Sequence, residues 1–253
     1  GFSALELSRI ALFKARQRSG RAARQGPGAC WRLWTVHEEV TQAEELPAEI
    51  ERSDLSQAFL LLAHLGVSDF AGFAWLDSPP TALMKLAVNS LRAIGALDGS
   101  NRLTDLGRRL NQFPLPPRWG SLLARGEALG SGRLAAKMAA LLNERDLLEG
   151  GKGAPTTRLE CDLLLRLEML DEGRNFRTGP ILEAVRQLEN LIRKESSAVS
   201  DLPATVRRLL LSTQIDRLAR RRAGGDRALM VGGRGVRLAP ESQVRESEFF
   251  IAL

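Results

Sequence analysis

At 253 residues, with 44% hydrophobic and 26% charged side chains, the chain has the composition of a soluble globular protein and the length for two or three small domains. No apolar run approaches the roughly 20 residues that span a bilayer, and no basic head followed by an apolar core marks an export signal, so no membrane partner is expected. The net charge of +6 is unevenly placed: residues 1–34 carry seven Lys/Arg against one Glu, residues 207–222 carry six Arg against Asp216, and the stretch between them is mildly acidic. Two basic ends around an acidic middle imply polyanion contacts at defined places. Cys30 and Cys161 are far apart in sequence and form no metal-ligand or redox spacing, which makes a reducing cytoplasm the simplest setting.

Residues 1–24 read as one amphipathic helix and its exit, and their abrupt beginning reads as a piece of a longer polypeptide. Within them Arg18, Arg21 and Arg24 recur every third residue, with Gly20, Ala22 and Ala23 between. Guanidinium groups stay charged and their planar forks can grip phosphate oxygens, although a solvated basic helix face has the same composition. Ala29–Trp34 is β-prone and follows a Gly-Pro-Gly turn, so a strand is expected there; the acidic residues 37–51 suit a linker.

From Asp54 the pattern turns helical. Leu55, Ala58, Phe59, Leu62 and Leu65 line one face, with Asp54 and Gln57 as a start signal and Gly66 as a stop. A second helix runs from about Thr81 to Ile94, with Leu83, Leu86, Ala87, Leu91 and Ile94 inward and Gly95 ending it. Ala96–Leu97, a turn at Asp98–Asn101, and Arg102–Leu103 form a short ribbon, after which Thr104 caps a helix that ends before Pro114. This is a small winged-helix-like module. Its second helix offers only Lys85, Asn89 and Arg92 as polar contacts, which is thin for a reader of base sequence.

After Pro114, Pro116 and Pro117 the chain reads as helices at 118–129, 132–148, 157–171, 179–195 and 203–222. Leu159, Leu163, Leu167 and Leu170, then Ile181, Val185, Leu188 and Ile192, are core stripes of a bundle. Short β-prone pieces follow around Ala228–Val231, Gly235–Leu238 and Phe249–Leu253, with no further strand in sequence to pair them.

Much chemistry is missing. Gly150-Gly151-Lys152-Gly153 fails the spacing of a phosphate loop, His37 and His64 are solitary, and no nucleophile elbow accompanies the serines. What remains is a phosphate-gripping arginine cluster without a phosphate cradle, as when arginine fingers are supplied from a neighbouring domain.

The order of motifs then carries a resemblance. Gln17–Arg24 resembles motif VI of the DEAH-box helicases, Gln-Arg-x-Gly-Arg-Ala-Gly-Arg, with Ala23 in place of the second glycine. Pro27–Leu33 is similar to the strand closing the family's second RecA-like domain, Glu49–Leu55 to the approach to its winged helix, and Phe73–Pro80 to the loop before the second helix. Leu97–Asp98, Leu103–Arg108 and Phe113–Arg118 continue that order. Ala140–Leu148, Asp162–Leu167, Asp216–Arg222 and Gly232–Leu238 resemble the bacterial HrpB-type branch.

The resemblance implies a mainly α chain in four parts: the end of a RecA-like α/β domain at 1–36, a linker and winged helix at 37–115, a helical bundle at 116–202, and a basic helix with a truncated β-rich domain at 203–253. It implies ATP with magnesium, whose ligands would lie outside this chain, and contacts with single-stranded RNA and with the missing RecA-like domains of the same polypeptide. Gln17, Arg21 and Arg24 would be catalytic, facing the γ-phosphate and attacking water, with Arg18 and Gly20 beside them in the nucleotide site. Arg217, Arg220, Arg221 and Arg222 are the expected RNA contacts. If the replaced glycine needs a positive φ, Ala23 strains the fingers. A non-enzymatic winged-helix nucleic-acid-binding or adaptor protein remains the alternative.

Overall fold

The computed structural model describes residues 9–144, 147, 161–173, 178–193, 197–222 and 225–253. The chain divides into two compact units, residues 1–55 with 71–87, and residues 56–70 with 88–253. The expectations for residues 1–8, for the ends of the helices at 145–148, 157–160 and 194–195, for Leu159 and for Gly150–Gly153 fall outside the described residues.

In the first unit, α1 (Leu12–Ser19) begins against its own unit. The Leu12 and Phe13 amides, which no helical carbonyl can satisfy, donate to the carbonyls of Ala43 and Glu44 at 3.0 Å each. The Arg16 guanidinium pairs with the Glu44 carboxylate. The expected linker is partly folded: α2 (Val36–Val40) starts at a capping box. There the Glu38 amide donates to Thr35 Oγ1 at 3.1 Å and the Thr35 amide to Glu38 Oε2 at 2.8 Å. The expected strand at 29–34 does not form. Those residues have no backbone hydrogen bond among the described residues, and a strand exists only when paired.

The second unit starts with α3 (Ser56–His64), two residues beyond Asp54. Its buried face is Ser56, Phe59, Leu60 and Ala63; of the expected face Leu55 and Phe59 are buried and Leu62 half-buried, but Ala58 and Leu65 are exposed. The Phe59 ring stacks on Phe70 with centroids 4.5 Å apart, and this turns Leu61 and Leu65 outward. The division between units falls within α4 (Thr81–Ala93), where Ala87 and Leu91 are buried but Leu86 is exposed. The ribbon forms as a single antiparallel bridge between Leu97 and Leu103. Its turn places Asn101 at φ 60°, and Asp98 Oδ1 accepts from the amides of Ser100 and Arg102 at 2.8 Å each. Thr104 Oγ1 then caps α5 (Asp105–Leu110) through the Gly107 amide at 3.0 Å.

The bundle comprises α6 (Pro117–Ala128), α7 (Gly132–Asn143), α8 (Asp162–Glu172), α9 (Thr178–Glu189) and α10 (Leu202–Thr213). Helix α7 packs on α6, α8 and α9, and α10 packs on α6. Leu122, Ala135, Met138, Leu170, Ile181 and Leu209 are buried in it. Helices α6 and α7 come so close that a methyl on Gly126 would lie 2.2 Å from the Ala135 Cβ. Arg109 ties α5 to this bundle. Its guanidinium donates to both Glu127 oxygens and to the Leu191 carbonyl, and stacks 4.5 Å from the Phe113 ring.

The expected helix at 203–222 stops at Thr213. A 3-10 turn at Ile215–Arg217 leads into β1 (Leu218–Arg221), followed by β2 (Arg227–Met230), β3 (Gly235–Arg237) and β4 (Phe249–Ile251). They form one antiparallel sheet in the order β3-β2-β1-β4. The partner absent from the sequence reading is therefore β1, hidden in the end of a basic helical pattern.

Glu127→Ala removes the carboxylate from a pair whose side chains are only 13% and 10% exposed. It is expected to cost about 3–5 kcal/mol, since Arg109 stays buried without its counter-charge. Glu248→Ala breaks the Arg220 pair, 70% and 59% exposed, and should cost less than about 1 kcal/mol. Urea midpoints followed by circular dichroism compare the two.

Candidate functional site

Gln17 and Arg18 occupy the last turn of α1, and the helical path does not end with it. The Gly20 amide donates to the Arg16 carbonyl at 3.0 Å, then Arg21 to Arg18 and Ala22 to Ser19 at 3.1 Å each. The tightening into i→i+3 bonds keeps Arg18 and Arg21 as neighbours on adjoining turns, with Arg24 following in a bend. The chain then folds back on itself. A methyl placed on Gly28 would come within 2.0 Å of the Ala22 carbonyl oxygen, so only glycine permits this closure.

Gln17, Arg18, Gly20, Arg21 and Arg24 are all exposed. Among the described residues, none of the guanidiniums of Arg18, Arg21 and Arg24 has a hydrogen-bond or ion-pair partner. Two acids of the same unit are engaged elsewhere. Glu44 holds Arg16, while Glu39 accepts from Arg32 and from Trp34 Nε1, and the Arg32 hydrogen bond is the main cause of its lowered pKa. The structure thus concentrates on one closed turn three cations that no described side chain compensates. Ala23 causes no backbone strain, because Asn101 is the sole described non-glycine residue with a positive φ. Gly20 has an ordinary right-handed conformation, and a methyl there would meet nothing closer than 3.6 Å. Its missing side chain therefore leaves open surface beside Arg21. The functional element missed in sequence is Gly28, whose only signal was the Gly-Pro-Gly turn.

The C-terminal arginines are not a helix face. Arg217 is buried, with its guanidinium 5.7 Å from the Trp119 ring centre. Arg221 is turned into its own unit, donating to the carbonyls of Ser247 and Val244 at 2.9 and 2.8 Å. Arg220 and Arg222 are exposed, the former donating to Glu248 at 2.9 Å. The expected group of four is thus divided by the alternation of a strand, with two residues inward and two outward. Just before it, Arg118 grips Asp216 through two hydrogen bonds of 2.8 Å. Burial pushes the Asp216 carboxyl upward, but the hydrogen bonds and charge of Arg118, with the charge of Arg217, outweigh it and hold the pKa below its usual value.

Three comparisons bear on these elements. Residues 87–115, which contain the ribbon and α5, match the winged-helix form of the helicase associated domain HA2. The chain is 38% identical over 146 residues to the pre-mRNA-splicing factor ATP-dependent RNA helicase prp22 of Schizosaccharomyces pombe, a match covering 56% of this chain and 12% of that protein. Solved structures of Escherichia coli HrpB extend the likeness over nearly all of the chain. One, described as a DEAH/RHA helicase, superposes with a TM-score of 0.71 at 28% identity, covering 97% of this chain and 29% of its own. The likeness is thus to DEAH-box helicases. A second HrpB structure, described as a DExH-box NTPase, gives a TM-score of 0.65 at 28% identity over 91% of this chain and 26% of its own. The chain thus spans less than a third of the length of these helicases. Among the described residues, no helix is long and apolar enough to cross a membrane.

Two outcomes test the site's local physics. Gly28→Ala should force the loop away from Ala22 and speed native-state exchange of the Arg21 and Ala22 amides by about tenfold or more, whereas Gly20→Ala should leave them protected. Asp216 contributes stability that is fully present well above its unfolded value near 3.8 and is lost as pH falls through the lower folded value. Acid titrations should therefore show the stability advantage of the parent over Asp216→Asn disappearing in that window.

Proposed function

We propose that this chain is part of an ATP-dependent RNA helicase and supplies one side of its nucleotide site from the Gln17–Arg24 turn. The observation that carries the reading is the set of three exposed guanidiniums, without partners among the described residues, held on a turn that Gly28 closes. In this reading Arg21 and Arg24 neutralise charge that develops on the transferred phosphoryl group, and Gln17 orients the attacking water. Arg18 supports them from the preceding turn, and Gly20 keeps the approach open to phosphate oxygens. Planar guanidiniums with no competing carboxylate fit that ligand, and nothing in the turn fits a metal, so magnesium would be held elsewhere in the polypeptide. ATP, when bound, supplies the phosphoanhydride whose hydrolysis drives the cycle.

The same reading makes residues 27–40 a docking segment for the remaining RecA-like portion of the polypeptide. Trp31 is 87% exposed, Leu33 95%, Val36 82% and Val40 81%. Four large apolar side chains left in water over so short a stretch support burial in the complete protein. The winged helix and bundle would then line a channel for single-stranded RNA, a role that favours phosphate contacts because aromatics make up only 5% of the chain.

In the complete polypeptide, Arg21→Ala and Arg24→Ala are each expected to lower RNA-stimulated ATP turnover by about a thousandfold or more while much nucleotide binding survives. Normal turnover in both would remove the assignment. The 253 residues alone contain no phosphate loop and are expected to show no RNA-stimulated hydrolysis.

A further inference from the structure

Helix α1 carries the arginine turn, yet burial does little to hold it in place. It has eight residues, of which only Ala15 is buried, and a helix of that length is marginal by itself. Its anchor is polar and comes from one loop. Arg9, just before the helix, donates to Thr41 Oγ1 at 3.2 Å. The Leu12 and Phe13 amides donate to the Ala43 and Glu44 carbonyls, and the Arg16 guanidinium meets the Glu44 carboxylate. Thr41 Oγ1 in turn donates to the Glu38 carbonyl at 2.8 Å, which ties the loop to the end of α2.

Glu44 therefore meets α1 twice, once with its main chain and once with its side chain. Phe13 and Arg16 are three residues apart, so the two contacts lie one turn from each other on the same face. The first satisfies an amide at the helix start; the second fixes the rotation of the helix about its axis. Arg16 is also where the arginine turn begins. Its carbonyl accepts from the Gly20 amide at 3.0 Å and from Ser19 Oγ at 2.8 Å. A single residue thus separates the Glu44 carboxylate from the backbone of the turn. Glu39 lies close enough to feel the same cation. Its pKa is lowered chiefly by the hydrogen bond from Arg32, and the Arg16 charge adds to that. Its carboxylate is occupied by Arg32, so Glu44 is the acid that holds Arg16.

We infer that Glu44 is a positioning residue for the arginine turn: acting through Arg16, it sets the direction in which Arg21 and Arg24 are presented. The inference rests on the helicase reading for the role of those two arginines, but not for the anchoring itself. Groups that stabilise a reacting phosphoryl tolerate little displacement, and an error of about 1 Å can cost about a hundredfold in rate. The Arg16 and Glu44 side chains are 63% and 60% exposed, so their pair adds little to global stability. Breaking it should loosen the turn without unfolding the unit.

The test reads two quantities. In the complete polypeptide, Glu44→Gln should lower kcat for RNA-stimulated ATP turnover about threefold to fivefold, with KM for ATP unchanged. Glu44→Arg, which sets like charges against each other, should lower kcat about tenfold or more. Adding Arg16→Glu to it restores the pair in reverse and should bring kcat back to within about threefold of the parent. In the 253-residue chain, Glu44→Arg should speed exchange of the Gly20, Arg21 and Ala22 amides about tenfold while the urea midpoint stays in place, and the swapped pair should restore protection. Unchanged exchange at these amides would overturn the inference, as would unchanged kcat in Glu44→Arg or a swapped pair that recovers neither quantity. A fall in KM with kcat unchanged would also overturn it, since a released Arg16 would then act only as added charge. Normal turnover in Arg21→Ala and Arg24→Ala, beside exchange that Glu44→Arg quickens, would instead remove the helicase role of the turn and leave its anchoring by Glu44 standing.

Discussion

Arg118, at the second position of α6, grips both oxygens of Asp216 and donates to Gln214 Oε1 at 3.0 Å, and the C-terminal sheet depends on that clamp. Gln214 is fully buried, and the residue after Arg118, Trp119, lies beneath the Arg217 guanidinium. Two consecutive α6 residues therefore fix the chain on both sides of the turn at 215–217. Helix α10 cannot continue through such a point, because the side chains that hold the turn would be carried around the helix axis. From Leu218 the chain is instead extended, and β1 becomes an inner strand with β2 on one side and β4 on the other. Arginines that would have formed one helical stripe then alternate between the interior and water.

This explains which parts of the fold were legible in sequence. Elements governed by local chemistry were: Gly66 and Gly95 end their helices with φ of 89° and 77°, and Thr104 caps α5. The core stripe Ile181, Val185 and Leu188 is buried because its 3.6-residue period leaves no other solution. Elements decided by distant partners were not legible. The buried face of α3 is chosen by Phe70, and the end of α10 by Arg118, 96 residues from Gln214. The capping box at Thr35 and Glu38 was visible in principle, but five residues of helix are too few to stand out in an acidic stretch.

The candidate nucleotide site was legible for a different reason. Its arginines repeat every third residue on a turn built by local bonds, so spacing alone brings them together. The structure adds their lack of partners among the described residues, the closure by Gly28, and an Ala23 without positive φ. Of the four arginines expected to meet RNA, Arg220 and Arg222 face water, while Arg217 and Arg221 serve the interior of their own unit. Strand pairing also brings Arg227 and Arg237 to the same face as Arg222, which no helical period could have indicated.

Three guanidiniums of the first unit, without a partner among the described residues, would meet a phosphate ligand completed by other parts of the polypeptide. This is tested most directly by a structure of the complete protein with ADP, magnesium and aluminium fluoride, which mimics the phosphoryl group in transfer. The account predicts the guanidiniums of Arg21 and Arg24 within about 3 Å of the fluoride ligands. Both guanidiniums turned to solvent, or paired with carboxylates of the same polypeptide, would contradict it.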